Sequence, residues 1–229
     1  MLFKPLLGGE LSGSIGAITA SHNKGGAYLR NRVIPTNPAT APQTVVRTLL
    51  GTLASFWTSG LSAAQRTAWE VYAANVPLLN PLGDSREVTG LNMYQRSNVP
   101  RLQNGLPRVD DGPTTFTLGT FTDPVINTLV APNAVGISFT EADDWVTEDD
   151  AAMLIYGSRD TGFGINFFKG PYRKYEAQLL GDVGAPPTTP FAGVNPFVFT
   201  AGNKVFLKIA VSRADGRYSL VTRLTAIAS

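Results

Sequence analysis

His22 is the single histidine among 229 residues, placed between Ser21 and Asn23 beside the glycine-bearing stretch Lys24-Gly25-Gly26. A general base needs a nucleophile within reach and a third group to orient it. No such set is readable, and a solvent-exposed turn histidine is expected. The run Glu141-Ala142-Asp143-Asp144-Trp145-Val146-Thr147-Glu148-Asp149-Asp150 offers six carboxylates, the ligand type that calcium takes. It lacks the sharp-turn glycine and closing glutamate of a calcium loop, so an acidic, solvated loop is expected. Trp145 within it is either an anchor that folds the loop down or an exposed contact residue.

Gly157-Ser158-Arg159-Asp160-Thr161-Gly162-Phe163-Gly164 is rich in glycine. A phosphate cradle needs a strand before it and a helix N-terminus after it. Strands are expected on both sides here, so this is read as a loop. Lys169, Arg173 and Lys174 interleave with Phe167, Phe168, Tyr172 and Tyr175. A basic aromatic surface of this type stacks bases; the same residues also fit a hairpin around Gly170-Pro171, with long side chains outward and rings half buried. The chain has no cysteine, which removes disulfides, thiolate metal sites and a cysteine nucleophile together. Carboxylate-only glycosidase chemistry is the enzyme class that spacing leaves open; the expectation is no enzyme, no cofactor and no metal.

A hydrophobic content of 43% is that of a folded, soluble protein. Apolar runs fall far short of the roughly 20 residues that cross a bilayer, and Met1-Leu2-Phe3-Lys4 does not open a signal peptide. Synthesis in the cytoplasm without membrane association is expected. Net charge is +2, too low for bulk capture of nucleic acid. Residues 1–112 hold ten Lys or Arg against six Asp or Glu, net +4, and residues 113–229 hold nine against eleven, net −2. That split suits head-to-tail packing of copies and equally suits solvated surface charge.

The elements that must position these residues fall into three parts. Residues 1–41 form a glycine-punctuated arm: Ser14 to Ala20 and Ala27 to Ile34 alternate like strands on either side of a turn, which predicts a hairpin. A two-stranded ribbon is marginal alone in water. Its period of two sets Tyr28, Arg30 and Arg32 on one face and Leu29, Asn31 and Val33 on the other. Tyr28, Leu29, Arg30, Arg32 and Val33, with Arg47 just beyond, are the candidate assembly-interface residues, because arginine and tyrosine give large contact area at modest entropy cost.

Residues 42–106 read as a short helical bundle. Thr40 with Gln43 and Ser62 with Gln65 are capping-box patterns. Val46, Leu49, Leu50, Leu53 and Trp57, then Ala68, Trp69, Tyr72 and Val76, recur at helical spacing. A third helix from Thr89 to about Val99 is disturbed by Pro100 and stopped by Gly105. From residue 113 the period changes to two. Strands are expected at Thr115–Leu118, Val135–Phe139, Ala151–Tyr156, Ile165–Phe168, Tyr175–Leu180, Phe197–Thr200, Val205–Ser212 and Tyr218–Ala226. Their number and spacing over residues 113–229 predict an immunoglobulin-like or, without cysteines, a fibronectin-type-III-like β-sandwich. The fold class is therefore α+β, with arm, helices and sandwich in that order.

The stretch from Leu11-Ser12-Gly13-Ser14-Ile15-Gly16 through Lys24-Gly25-Gly26-Ala27-Tyr28-Leu29-Arg30 to Asn37-Pro38 resembles uncharacterised virion structural proteins of tailed bacteriophages and prophages. Leu61-Ser62-Ala63-Ala64-Gln65-Arg66-Thr67-Ala68-Trp69 and Gly90-Leu91-Asn92-Met93-Tyr94 fit the same pattern, so the likeness covers about residues 11–101. It implies a virion component, made in the host cytoplasm, whose partners are copies of itself and other virion proteins in capsid, neck or tail. It carries no site residues across. The alternative is a carbohydrate- or cell-surface-binding module that meets a host glycan through sandwich loops, with Trp145, Phe163 and Tyr172 as contacts.

Overall fold

The computed structural model describes residues 12–23, 26–33, 36–79 and 85–229. It divides into two compact units, Met1–Gln43 and Thr44–Ser229.

The first unit holds three antiparallel strands, β1 (Gly13–Ile15), β2 (Ile18–Asn23) and β3 (Gly26–Asn31), in that spatial order. The single strand expected over Ser14 to Ala20 is broken by a turn at Gly16-Ala17. Gly16 sits at φ +57°, a left-handed conformation that glycine adopts without a Cβ penalty. Lys24 and Gly25 of the expected loop, and Ile34 and Pro35 beyond it, lie outside the described residues.

From Thr44 on, the second unit holds the rest of α1 (Ala41–Ser59), α2 (Ala63–Asn75), the short paired strands β4 (Leu78–Leu79) and β5 (Ser85–Arg86), and α3 (Gly90–Gln103). The capping box at α2 forms as expected: Gln65 N–H donates to Ser62 Oγ at 3.2 Å, and Ser62 N–H donates to Gln65 Oε1 at 2.9 Å. Leu53, Leu61, Trp69, Tyr72, Met93 and Tyr94 make the helical core, with the Trp69 ring edge-on to those of Tyr72 and Tyr94. α3 runs through Pro100 rather than ending at Val99. Pro100 removes one helical donor, but the final turn is fixed by its C-terminus: Leu106 N–H donates to Arg101 O and Gly105 N–H to Leu102 O, with Gly105 at φ +78°. This is a Schellman closure.

Eight strands follow: β6 (Val125–Val130), β7 (Ala134–Ser138), β8 (Ala152–Gly157), β9 (Arg173–Lys174), β10 (Leu179–Leu180), β11 (Phe191–Val194), β12 (Lys204–Ser212) and β13 (Thr222–Ile227). One antiparallel sheet runs β11-β7-β6 and the other β10-β8-β12-β13, with β9 also on β8. Alternate residues of both, among them Val135, Ile137, Met153, Ile155, Leu207 and Ile209, meet in one core. The sheets join at an edge where Ser229 N–H donates to Leu129 O and Ala131 N–H to Ser229 O.

Three expected strands are not strands. Thr115–Leu118 lies where arginine side chains take its carbonyls: Arg217 donates to Thr117 O and Arg213 to Leu118 O, each at 2.6 Å. Phe197–Thr200 inserts Phe199 into the core with a single ladder-like bond, to Pro132 O. Ile165–Phe168 crosses the outer face of the larger sheet, where Phe168 stacks on Phe206 with centroids 5.9 Å apart. β6, β9 and β11 lie outside every strand expected from the period of two.

Residues 44–106 and 113–229 fall in the same compact unit. The segment between them lies tight against α2, so close at Gly112 that a Cβ would fall 2.6 Å from the Trp69 nitrogen. Arg101, fully buried, donates to Pro107 O, Asp150 O, Ser212 Oγ and Arg213 O at 2.7–3.1 Å. Arg96 donates to Tyr218 O and Ser219 O.

Candidate functional site

The N-terminal sheet is the first candidate surface. Its register pairs Thr19 with Arg30 and Ser21 with Tyr28, and offsets Ala20 with Leu29 and Ile18 with Asn31. With Ser14 opposite Thr19 and Ile15 opposite Ile18, one face carries Ser14, Thr19, Ser21, Tyr28 and Arg30, and the other Ile15, Ile18, Ala20, Leu29 and the polar Asn31. The expected separation of Tyr28 and Arg30 from Leu29 is therefore present. Arg32 and Val33 lie past the end of β3, where Arg32 N–H donates to Ala17 O at 2.6 Å. Arg47 stands on α1, in the second unit. Reading one hairpin instead of three strands hid the apolar face, because Ile15 and Ile18 come together only across the Gly16 turn. Ile15 is 83% exposed, Ile18 48% and Val33 74%. His22 lies within β2, opposite Ala27, rather than in a turn.

The acidic run is exposed at Glu141, Asp144, Asp149 and Asp150, as expected of a solvated loop, and five of its carboxylates also accept hydrogen bonds from four neighbouring segments. Asp143, buried, takes Thr122 N–H and Oγ1; Asp144 takes Thr120 N–H. Glu141 takes Thr189 N–H and Asp149 takes Val183 N–H. Glu148 pairs with the Arg213 guanidinium and takes Ala214 N–H. The Thr120 amide, with Arg213 beside it, holds the Asp144 carboxyl below its usual range. Among the described residues no three His, Cys, Asp or Glu side chains converge as a metal site.

Of the three expected loop contacts, Trp145 is fully buried in the core against Phe139. It is an anchor and is unavailable to a ligand. Gly181 lies so close to the Trp145 carbonyl that a side chain there is excluded, which shows how firmly the loop is folded down. Phe163 is exposed, with Lys204 Nζ 5.1 Å from its ring centroid. Tyr172 is half-buried, its hydroxyl donating to Phe168 O and the Lys208 ammonium 4.1 Å from its ring centroid. The glycine-rich segment continues the pairing with β12: Ser158 N–H donates to Phe206 O, and Thr161 and Lys204 exchange backbone bonds. Tyr175 is a core residue, and burial pushes its phenol up.

An apolar groove of about 430 Å³ opens between Tyr72 of α2, Val76 just past its end, Phe116, Phe121 and Leu220. Its polar groups are already paired, Thr222 Oγ1 with Asp123 and Arg217 with Asp215. No set of free polar groups converges there as a reactive centre needs.

No family model matches the chain, and no curated protein sequence does either. Among solved structures, the crystal structure of a β-1,2-glucanase from Parabacteroides distasonis is similar over 49% of this chain and 14% of its own, at 14% identity and a TM-score of 0.26. The chain thus spans a small part of that enzyme, and likeness at this level carries no argument for fold or activity.

Proposed function

We propose that this chain is a non-catalytic structural component of a tailed-bacteriophage virion, present in many copies and joined to its neighbours through the N-terminal sheet. The observation that carries the reading is the sheet β1-β2-β3, in which no side chain whose burial is described is buried. Three strands without a core gain little by folding alone, and an exposed apolar face marks a surface that another chain covers. A second copy is the partner of choice: β1 and β3 are both sheet edges, and strand addition supplies main-chain bonds for affinity and alternate side chains for register. Repetition by symmetry then multiplies a modest contact. The resemblance over residues 11–101 supports the same reading.

So does the strand order of the second unit. With β9 and β10 counted as one interrupted edge strand, the first, second and fifth strands share one sheet and the third, fourth, sixth and seventh the other. On this order we propose a fibronectin-type-III-like sandwich for residues 113–229; a constant-type immunoglobulin domain would have its fourth strand in the sheet of the first. Capsid surface, neck and tail are all consistent with it, the other partners are virion proteins, and the working location is the particle.

The test is size-exclusion chromatography with light scattering on the full chain and on an Ile15→Asp/Ile18→Asp variant. A defined oligomer that falls to a folded monomer in the variant is expected; a full chain that stays monomeric at high concentration overturns assembly through this sheet. A second reading, a glycan- or cell-surface-binding module, is favoured by Phe163 and Phe167, which are 65% and 62% exposed. It expects ligand binding that is indifferent to the N-terminal substitutions.

A further inference from the structure

Lys208 on β12 and Arg223 on β13 are register partners, directly opposite one another in the antiparallel ladder. Like charges in that position repel and cost stability. Among the described residues neither side chain has a hydrogen bond or a carboxylate partner; each instead meets an aromatic ring contributed by the segment that crosses the sheet. The Lys208 ammonium lies 4.1 Å from the Tyr172 ring centroid and the Arg223 guanidinium carbon 5.4 Å from that of Phe167. Burial and the adjacent Arg223 both draw the Lys208 ammonium below its ordinary range. Two cations held together without an anion, in part against solvent, make a place where a negative group gains two charge-assisted bonds and removes the repulsion.

The surroundings define what carries that negative group. A groove of about 130 Å³ runs between Asn166, Phe167, Tyr172, Phe206, Arg223 and Thr225, large enough for a carboxylate and part of a sugar ring. Phe167, which lines it, is largely exposed, an apolar surface for the C–H face of a pyranose. Nucleic acid fits less well, because its affinity comes from a track of phosphate contacts, whereas the half of the chain that holds this face has a net charge of −2.

We propose that the outer face of β12 and β13 binds an acidic polysaccharide, seating one uronate carboxylate between Lys208 and Arg223 and a sugar ring against Phe167. The site lies wholly in the second unit, and it gives the glycan-binding reading its ligand class without depending on assembly through the N-terminal sheet.

The test is isothermal titration calorimetry on the full chain with oligogalacturonate, neutral dextran and oligothymidylate, repeated on Arg223→Gln and Phe167→Ala. Oligogalacturonate is expected to bind and dextran not, and each substitution to weaken binding by about tenfold or more. The melting temperature of Arg223→Gln is expected not to fall, since the substitution relieves a like-charge pair. Failure to bind oligogalacturonate, equal binding of dextran, tighter binding of oligothymidylate, or unchanged affinity in both variants overturns the proposal. Because the oligomeric state is read separately, its failure leaves the assembly reading standing.

Discussion

Replacing Arg101 by methionine keeps the unbranched stem but ends it at the ε position, and removes all of the donors. Pro107 O, Asp150 O, Arg213 O and the Ser212 hydroxyl then lose the partner that the guanidinium provides at 2.7–3.1 Å. Each buried acceptor left unpaired costs about 1–3 kcal/mol, while relief of the desolvation of a buried guanidinium returns several kcal/mol. The net expectation is a loss of about 3 kcal/mol. For a unit of about 150–250 residues each kcal/mol moves the melting temperature by about 2–4 °C, giving a fall of about 6–12 °C. Urea unfolding reads it directly, with the midpoint lowered and the slope unchanged. A Trp145→Phe background leaves Trp57 and Trp69 to report the helices by fluorescence while far-ultraviolet circular dichroism follows the whole backbone. Because Arg101 ties α3 to residues 150, 212 and 213, the two signals should change together before the substitution. A loss under about 0.5 kcal/mol, or separate transitions of helices and sheets in the unsubstituted chain, would refute the view that this residue locks the two layers together.

Gly157→Ala places a methyl group against the Asn195 side chain, where no room exists; overpacking of this kind costs about 1–3 kcal/mol, measurable as a lower melting temperature. Ser62→Ala deletes the α2 cap and is expected to cost about 1 kcal/mol, whereas Ser62→Asp should retain most of it. Burial, with Asp110 beside it, pushes the Tyr94 phenol up to about 12 from 10.0. A group whose folded pKa is raised contributes stability that is complete below its unfolded value and lost as pH rises toward the folded one. Urea midpoints should therefore decline between pH 10 and 12, with a shallower decline in Tyr94→Phe. The Arg108 guanidinium hydrogen-bonds the Asp110 carboxyl and holds it below its usual 3.8. Its contribution, present above that value, is lost as pH falls through the lowered one, and Asp110→Asn should flatten the acid limb of the same series.

Local rules make part of this protein legible without any structure. Ser62 and Gln65 are spaced to satisfy each other's backbone, Gly105 stops α3 because only a left-handed residue closes that turn cheaply, and the alternation from Val205 to Val211 marks β12 whatever lies around it. The composition change near residue 113 separates helices from strands because periods of 3.6 and 2 reflect backbone geometry alone. The α+β class follows from that much. The rest depended on contacts between residues far apart in the chain. Thr115–Leu118 has the alternation of a strand but meets arginine side chains where a strand partner would have to be, and Ile165–Phe168 lies over a sheet instead of joining one. The acidic run reads as a solvated loop because sequence displays charges without their hydrogen-bond donors; Thr122, Val183, Thr189 and Ala214 reach it only in the folded chain. Trp145 has the same composition around it whether it points inward or outward, and core packing turned it in. The two candidate surfaces needed register most of all. Ile15 meets Ile18 across a turn, and Lys208 meets Arg223 only once β12 and β13 are aligned, since which side chains face each other across a sheet is fixed by strand pairing and not by distance along the chain.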